Sequence, residues 1–106
     1  MYTVVETPLF LQYAAQVWSD GEREAFVDWI ADNPEAGDVM PGTGGLRKVR
    51  WGRAGMGKRG GVRVIYFTRL PQGVVALVVV YAKAKLDNMP AHILKQWKEA
   101  IDEQLN

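Results

Sequence analysis

Between Val39 and Leu86 the chain carries ten basic residues and no aspartate or glutamate: Arg47, Lys48, Arg50, Arg53, Lys58, Arg59, Arg63, Arg69, Lys83 and Lys85. The formal net charge over 106 residues is only +1, so the acids lie in the two ends of the chain. A block of cations carried on strands is the electrostatic footprint of a face that meets a polyanion. Its centre is Gly57-Lys58-Arg59-Gly60-Gly61-Val62-Arg63-Val64-Ile65-Tyr66-Phe67, a glycine-rich basic loop running into a strand pattern. Glycines there let backbone approach a ligand closely. The plainer reading is of long side chains snorkelling over an ordinary sheet. The complete absence of acids from the block weighs against it.

Other chemistries fit the residues less well. Gly52-Arg53-Ala54-Gly55-Met56-Gly57-Lys58-Arg59 comes within one residue of a phosphate-binding P-loop. It has Arg59 where the magnesium-binding Ser or Thr belongs, and a strand follows where a helix should. Gly42-Thr43-Gly44-Gly45 also precedes a strand and is no dinucleotide fingerprint. With no cysteine there is no disulfide frame and no thiol nucleophile. His92, the only histidine, falls on a polar helix face with Gln96, Glu99 and Glu103. No acids and histidines have metal-site spacing, so neither a metal nor another cofactor is expected.

The elements that must hold the basic block read as follows. Tyr2 to Glu6 is a strand candidate, and Thr7-Pro8 is a helix start. Leu9, Phe10, Tyr13, Ala14, Val17 and Trp18 recur at helical spacing. Ser19 and Glu22 make a capping box for a second helix, whose apolar side is Ala25, Phe26, Trp29 and Ile30. Asn33-Pro34 ends it. Residues 35–45 read as loop, 46–51 as a strand, and 52–60 as a flexible connection too long for a tight hairpin. Strands over 61–70 and 74–84 flank the turn Pro71-Gln72-Gly73. The unbroken Val-Val-Ala-Leu-Val-Val-Val in the latter predicts a strand covered on both faces. Asp87-Asn88-Met89-Pro90 then opens a last helix with Ile93, Leu94, Trp97, Ile101 and Leu105 on its buried side. The sum is α+β, one domain over residues 1–106: an antiparallel sheet with two N-terminal helices and a C-terminal helix, the helices mainly on one face.

Strand periodicity sorts the cations by face. One self-consistent arrangement puts Lys48, Arg50, Arg63, Tyr81 and Lys83 on an open face, with Val49, Trp51, Val62, Val64 and Tyr66 under the helices.

Gly42-Thr43-Gly44-Gly45-Leu46-Arg47-Lys48-Val49-Arg50, the loop-and-strand Gly57 to Tyr66, and Tyr81-Ala82-Lys83 resemble the RelE/HigB superfamily of toxins from type II toxin–antitoxin systems, and within it the HigB-like branch. Order and spacing agree across nearly the whole chain. The resemblance implies a RelE-like sheet with helices packed on one face and a ribosome-dependent endoribonuclease, an mRNA interferase that cuts translated mRNA and inhibits translation. It also implies a cognate antitoxin, commonly with a helix-turn-helix domain, through which alone the toxin reaches operator DNA. Arg63 matches the family's strand arginine and is the first candidate for holding the scissile phosphate. Lys58, Lys83 and Tyr81 join it as candidates for proton transfer or charge stabilisation. Arg47, Lys48, Arg50, Arg53, Arg59 and Lys85 are the RNA-binding candidates. Ala84 stands where many relatives have a basic or polar residue, Lys85 where an acid is common, and the last helix has no tyrosine. A non-enzymatic nucleic-acid-binding or gyrase-poisoning member of the same scaffold is the alternative.

Two further expectations concern compartment. The N-terminus lacks the basic start and apolar core of a signal peptide. The longest apolar run, Val74 to Ala82, is far short of the ~20 residues that span a bilayer. The expectation is a cytoplasmic protein with no membrane contact.

Overall fold

A computed structural model describes residues 1–53, 57–82 and 86–105; for residues 53 and 57–60 it describes the backbone. Strand β1 (Thr3–Glu6) passes into helix α1 (Pro8–Val17) at Thr7. The Thr7 hydroxyl accepts the Phe10 N–H at 3.1 Å, satisfying a donor the helix cannot pair itself. It also donates to the Leu77 carbonyl at 2.8 Å, so one cap ties the helix to the sheet. Helix α2 (Asp20–Asp32) starts on the complete capping box of Ser19 and Glu22. Strands β2 (Asp38–Val39), β3 (Arg47–Arg53), β4 (Gly57–Arg69) and β5 (Val74–Ala82) follow, and helix α3 (Ala91–Gln104) closes the order. Among the described residues, no helix is long and apolar enough to cross a membrane.

The sheet order is β1-β5-β4-β3-β2, with β1 parallel to β5 and every other pair antiparallel. The α+β class and the three helices are as the sequence predicts; the parallel edge pair makes the sheet mixed. β1, the first strand in the chain, lies beside β5, the last. β5 is buried along nearly its whole length, flanked by strands on both sides and by packing on both faces.

The helices do not share a face. Phe10, Ala14, Phe26 and Ile30 pack with Val62, Val64, Tyr66, Val75, Leu77 and Val80 on one side. Leu94 packs on the other with Ile65, Phe67, Val79 and Tyr81, and Trp97, Ile101 and Leu105 press against the same cluster. The expectation of helices mainly on one face is therefore corrected. β4 alternates apolar residues on both faces, and α3 covers the second set. β5 carries a bulge: Ile65 pairs with Val79 but Tyr66 with Leu77, so Val78 is the extra residue, and Val78 and Val79 both join the cluster under α3.

Three local readings are also revised. The segment 35–45 contains the two-residue strand β2, pairing Asp38 with Lys48 and Val39 with Arg47. The segment 52–60 is no free connection, because the β3–β4 ladder continues past a register shift to pair Arg53 with Gly57; residues 54–56 lie outside the described residues. Asp87 does not open α3, which starts at Ala91 behind Pro90 with no side-chain cap.

β2 is held in place by a close approach of backbone to ring. The Gly37 N–H donates to the Tyr66 hydroxyl at 2.8 Å, and Arg47 donates to the Gly37 carbonyl at 2.8 Å. A Cβ on Gly37 would lie 2.9 Å from Tyr66 Cε1 and 3.0 Å from the Lys48 carbonyl oxygen. Gly37→Ala is expected to cost about 1–3 kcal/mol by overpacking, read as a lower urea midpoint with unchanged slope. An unchanged midpoint would show that β2 is not locked this way.

Candidate nucleic-acid interface

The antiparallel registers assemble the site. Arg50 on β3 pairs with Arg63 on β4, and Arg63 pairs with Tyr81 on β5, so the three side chains stand in one row on one face. Lys48 lies on the same face, opposite Ile65. Lys48, Arg50 and Arg63 line a groove of about 440 Å³ together with Ala36, Asp38 and Val49. Directly opposed like charges repel. Among the described residues, neither Lys48 nor Arg50 has a carboxylate within 4.0 Å. A multiply charged anion in the groove would relieve that repulsion.

Arg63 is largely enclosed, its side chain 11% exposed. Its Nε lies 3.2 Å from Asp87 Oδ1, and the same oxygen accepts the Tyr81 hydroxyl at 3.0 Å. Tyr81 is 2% exposed, beneath the side of the sheet that α3 covers. The face expected to be open is thus open at Arg50, partly covered at Lys48 and Arg63, and closed over Tyr81. Burial raises the Tyr81 pKa far above the usual phenol value; the hydrogen bond to Asp87 and its negative charge raise it further, and Arg63 opposes them. Tyr81 is a neutral donor at physiological pH.

Tyr66 also titrates late, chiefly from burial, with the Gly37 N–H and Arg47 pulling the other way. A group whose folded pKa is raised binds its proton more tightly in the native state. Its contribution is intact below the unfolded pKa, about 10 for tyrosine, and is lost as pH rises beyond it. Urea stability is therefore expected to fall above about pH 10. The tyrosinate absorbance of Tyr66 and Tyr81 should appear only with unfolding; early, reversible titration of all the tyrosines would contradict their burial.

The structure separates other cations from this row. Arg47 stands on the face with Tyr66, where it donates to the Glu35 and Gly37 carbonyls. Arg69 pairs through Nε with Asp102 Oδ1 at 2.7 Å and donates to the Asp102 carbonyl, fastening the C-terminal end of α3. The positions of Lys83 and Lys85, and the side chains of Arg53, Lys58 and Arg59, lie outside the described residues. The Gly42-Thr43-Gly44-Gly45 run is the turn between β2 and β3: the buried Thr43 hydroxyl donates to the Met40 carbonyl and accepts the Leu46 N–H. His92 is exposed, as its helix face predicts.

Two acids at the site escape a search for cations. Asp38 borders the groove, and Asp87 holds Arg63. Asp87 carries a signal in the sequence: it is the acid that ends the acid-free stretch, close behind Tyr81.

No family model matches the chain. Among solved structures it is similar to the E. coli toxin RelE, determined as an arginine-to-alanine double mutant in the free state. The TM-score is 0.60 at 17% sequence identity, covering 92% of this chain and 96% of that one. The basic row therefore stands on a sheet-and-helix scaffold of the same fold as E. coli toxin RelE.

Proposed function

We propose that the protein is the toxin of a type II toxin–antitoxin pair and acts in the cytoplasm as a ribosome-dependent endoribonuclease on translated mRNA. The observation that carries the reading is the opposed pair Arg50 and Arg63 beside Lys48 in one groove, a cluster suited to a phosphodiester strand. The motif resemblance, HigB-like in its loop, and the shared fold with a toxin support it. The cognate antitoxin is the expected partner, and operator DNA is reached only through it.

The reaction asks little covalent chemistry of the protein. The RNA 2′-hydroxyl oxygen bonds to the adjacent phosphorus and the bond from phosphorus to the 5′ oxygen breaks. One proton leaves the 2′ oxygen and one reaches the 5′ oxygen, giving a cyclic phosphate and a free 5′-hydroxyl. The protein must align the reacting oxygens and offset charge on the phosphorane-like transition state. Arg63 is assigned to the scissile phosphate, where a guanidinium can offer two parallel donors. Lys48 and Arg50 hold the flanking phosphates. Lys58 and Lys83 are assigned to proton transfer, since a lysine among cations can have a lowered pKa. Arg53, Arg59 and Lys85 extend the strand's path, and Arg47 serves β2 instead.

Expression is expected to arrest growth with cleavage of mRNAs under translation, mapped by their 5′ ends, and co-expression of a small helix-turn-helix protein from the neighbouring reading frame should restore growth. Arrest with intact mRNA and blocked DNA supercoiling would favour the gyrase-poisoning reading instead.

A further inference from the structure

Arg63 has a support that the proposed cleavage does not by itself require. Three cations converge on one groove, and two of them stand directly opposite each other on neighbouring strands. Left to itself, a long arginine side chain in that position would swing away from Arg50 and keep its rotamer freedom. Asp87 Oδ1 lies 3.2 Å from the Arg63 Nε. Asp87 lies in the turn between β5 and α3, where the Met89 N–H donates to the Leu86 carbonyl. β4 has β5 on one side and β3 on the other. Asp87 and Tyr81 therefore reach Arg63 from the β5 side, whereas the groove lies on the β3 side and includes neither of them. The approach of Asp87 Oδ1, at 3.2 Å, is to Nε, whereas the terminal nitrogens make the paired donor edge of a guanidinium.

We infer that Asp87, itself held by the Tyr81 hydroxyl, is the positioning residue that fixes the Arg63 guanidinium by its Nε and leaves its terminal edge for a substrate phosphate. The assignment rests on the RNA reading for the identity of the ligand, but its geometry does not. A guanidinium fixed before the ligand arrives has less ordering to lose on binding. The carboxylate also offsets the repulsion between Arg63 and Arg50, so both can stay at one groove. Tyr81 acts one step further back, anchoring the carboxylate from a buried position.

The test uses the full chain, a 2′-O-methylated RNA trinucleotide that cannot be cleaved, and the nuclear magnetic resonance signal of the Arg63 Nε–H. Asp87→Asn keeps the size of the side chain and removes the charge. It should move the Nε–H signal and weaken trinucleotide binding by roughly tenfold, the scale of coupling between residues in contact. Tyr81→Phe should do the same to a smaller degree, and Asp87→Asn should add nothing once Arg63 is alanine. Tighter binding by Asp87→Asn would make the carboxylate a block, not a support, and overturn the assignment. So would an equal loss in the Arg63→Ala background, or an unmoved Nε–H signal. If neither the parent protein nor Arg63→Ala binds the trinucleotide, the RNA reading fails, and the Nε–H signal then decides the Asp87 assignment alone.

Discussion

Arg63→Ala should lower the cleavage rate by roughly a hundred- to thousandfold and abolish growth arrest, because it removes the group assigned to transition-state charge. Arg63→Lys should restore only part of the activity: an ammonium is a point charge without the planar fork. Arg63 is not a freely exposed side chain, so the substitution is not silent for stability. It takes the Arg63 charge away from Asp87, which keeps the Tyr81 hydroxyl, and because Asp87 is partly exposed the cost should stay at about 1 kcal/mol. Rates are therefore best compared well below the unfolding midpoint. Arg69→Ala is the contrasting variant. It loosens the end of α3 at Asp102 and should act on stability more than on activity. Full activity in Arg63→Ala with loss in Arg69→Ala would move the site to the other end of the sheet.

Binding to RNA or to ribosomes should weaken steeply with salt, since each neutralised phosphate releases condensed counterions. For about three to five phosphate contacts on a single strand the log–log slope is roughly −2 to −3.5. Between 50 and 200 mM salt that amounts to roughly a twentyfold to hundredfold loss of affinity. Lys48→Ala and Arg50→Ala should each make the slope shallower by about 0.7. Arg47→Ala should leave the slope unchanged, because that side chain serves the 35–37 segment on the opposite face. A flat response in the parent protein would mean the basic block is only solvated surface.

The readings that held in the structure rest on local rules. Thr7-Pro8 and Ser19…Glu22 cap helices whatever surrounds them, and period-two alternation put Lys48 with Arg50 on one side of their strand and, in one self-consistent arrangement, Arg63 on the same face, which is the register found. What failed depends on tertiary context. The residues Asp87 to Pro90 look like a helix start, yet the Asp87 carboxylate serves Tyr81 on β5 and Arg63 on the adjacent β4. α3 docks on the face of Ile65, Phe67 and Val79, and the extra residue Val78 in β5 is a feature that no run of valines reveals. β2 is too short to have a period, and its place depends on Gly37 fitting against Tyr66. Arg47 and Arg69 count equally with Arg63 in a charge tally; only their distant partners, Gly37 and Asp102, separate them.

The central claim is that the groove of Lys48, Arg50 and Arg63 works on mRNA in the ribosome. Purified protein should be mixed with one mRNA in two states, naked and loaded in translating ribosomes, and the 5′ ends of the fragments mapped. Discrete cuts in the translated message, none in the naked one, and none with Arg63→Ala is the predicted result. Equal cutting of naked RNA, or an intact translated message at full occupancy, would contradict it.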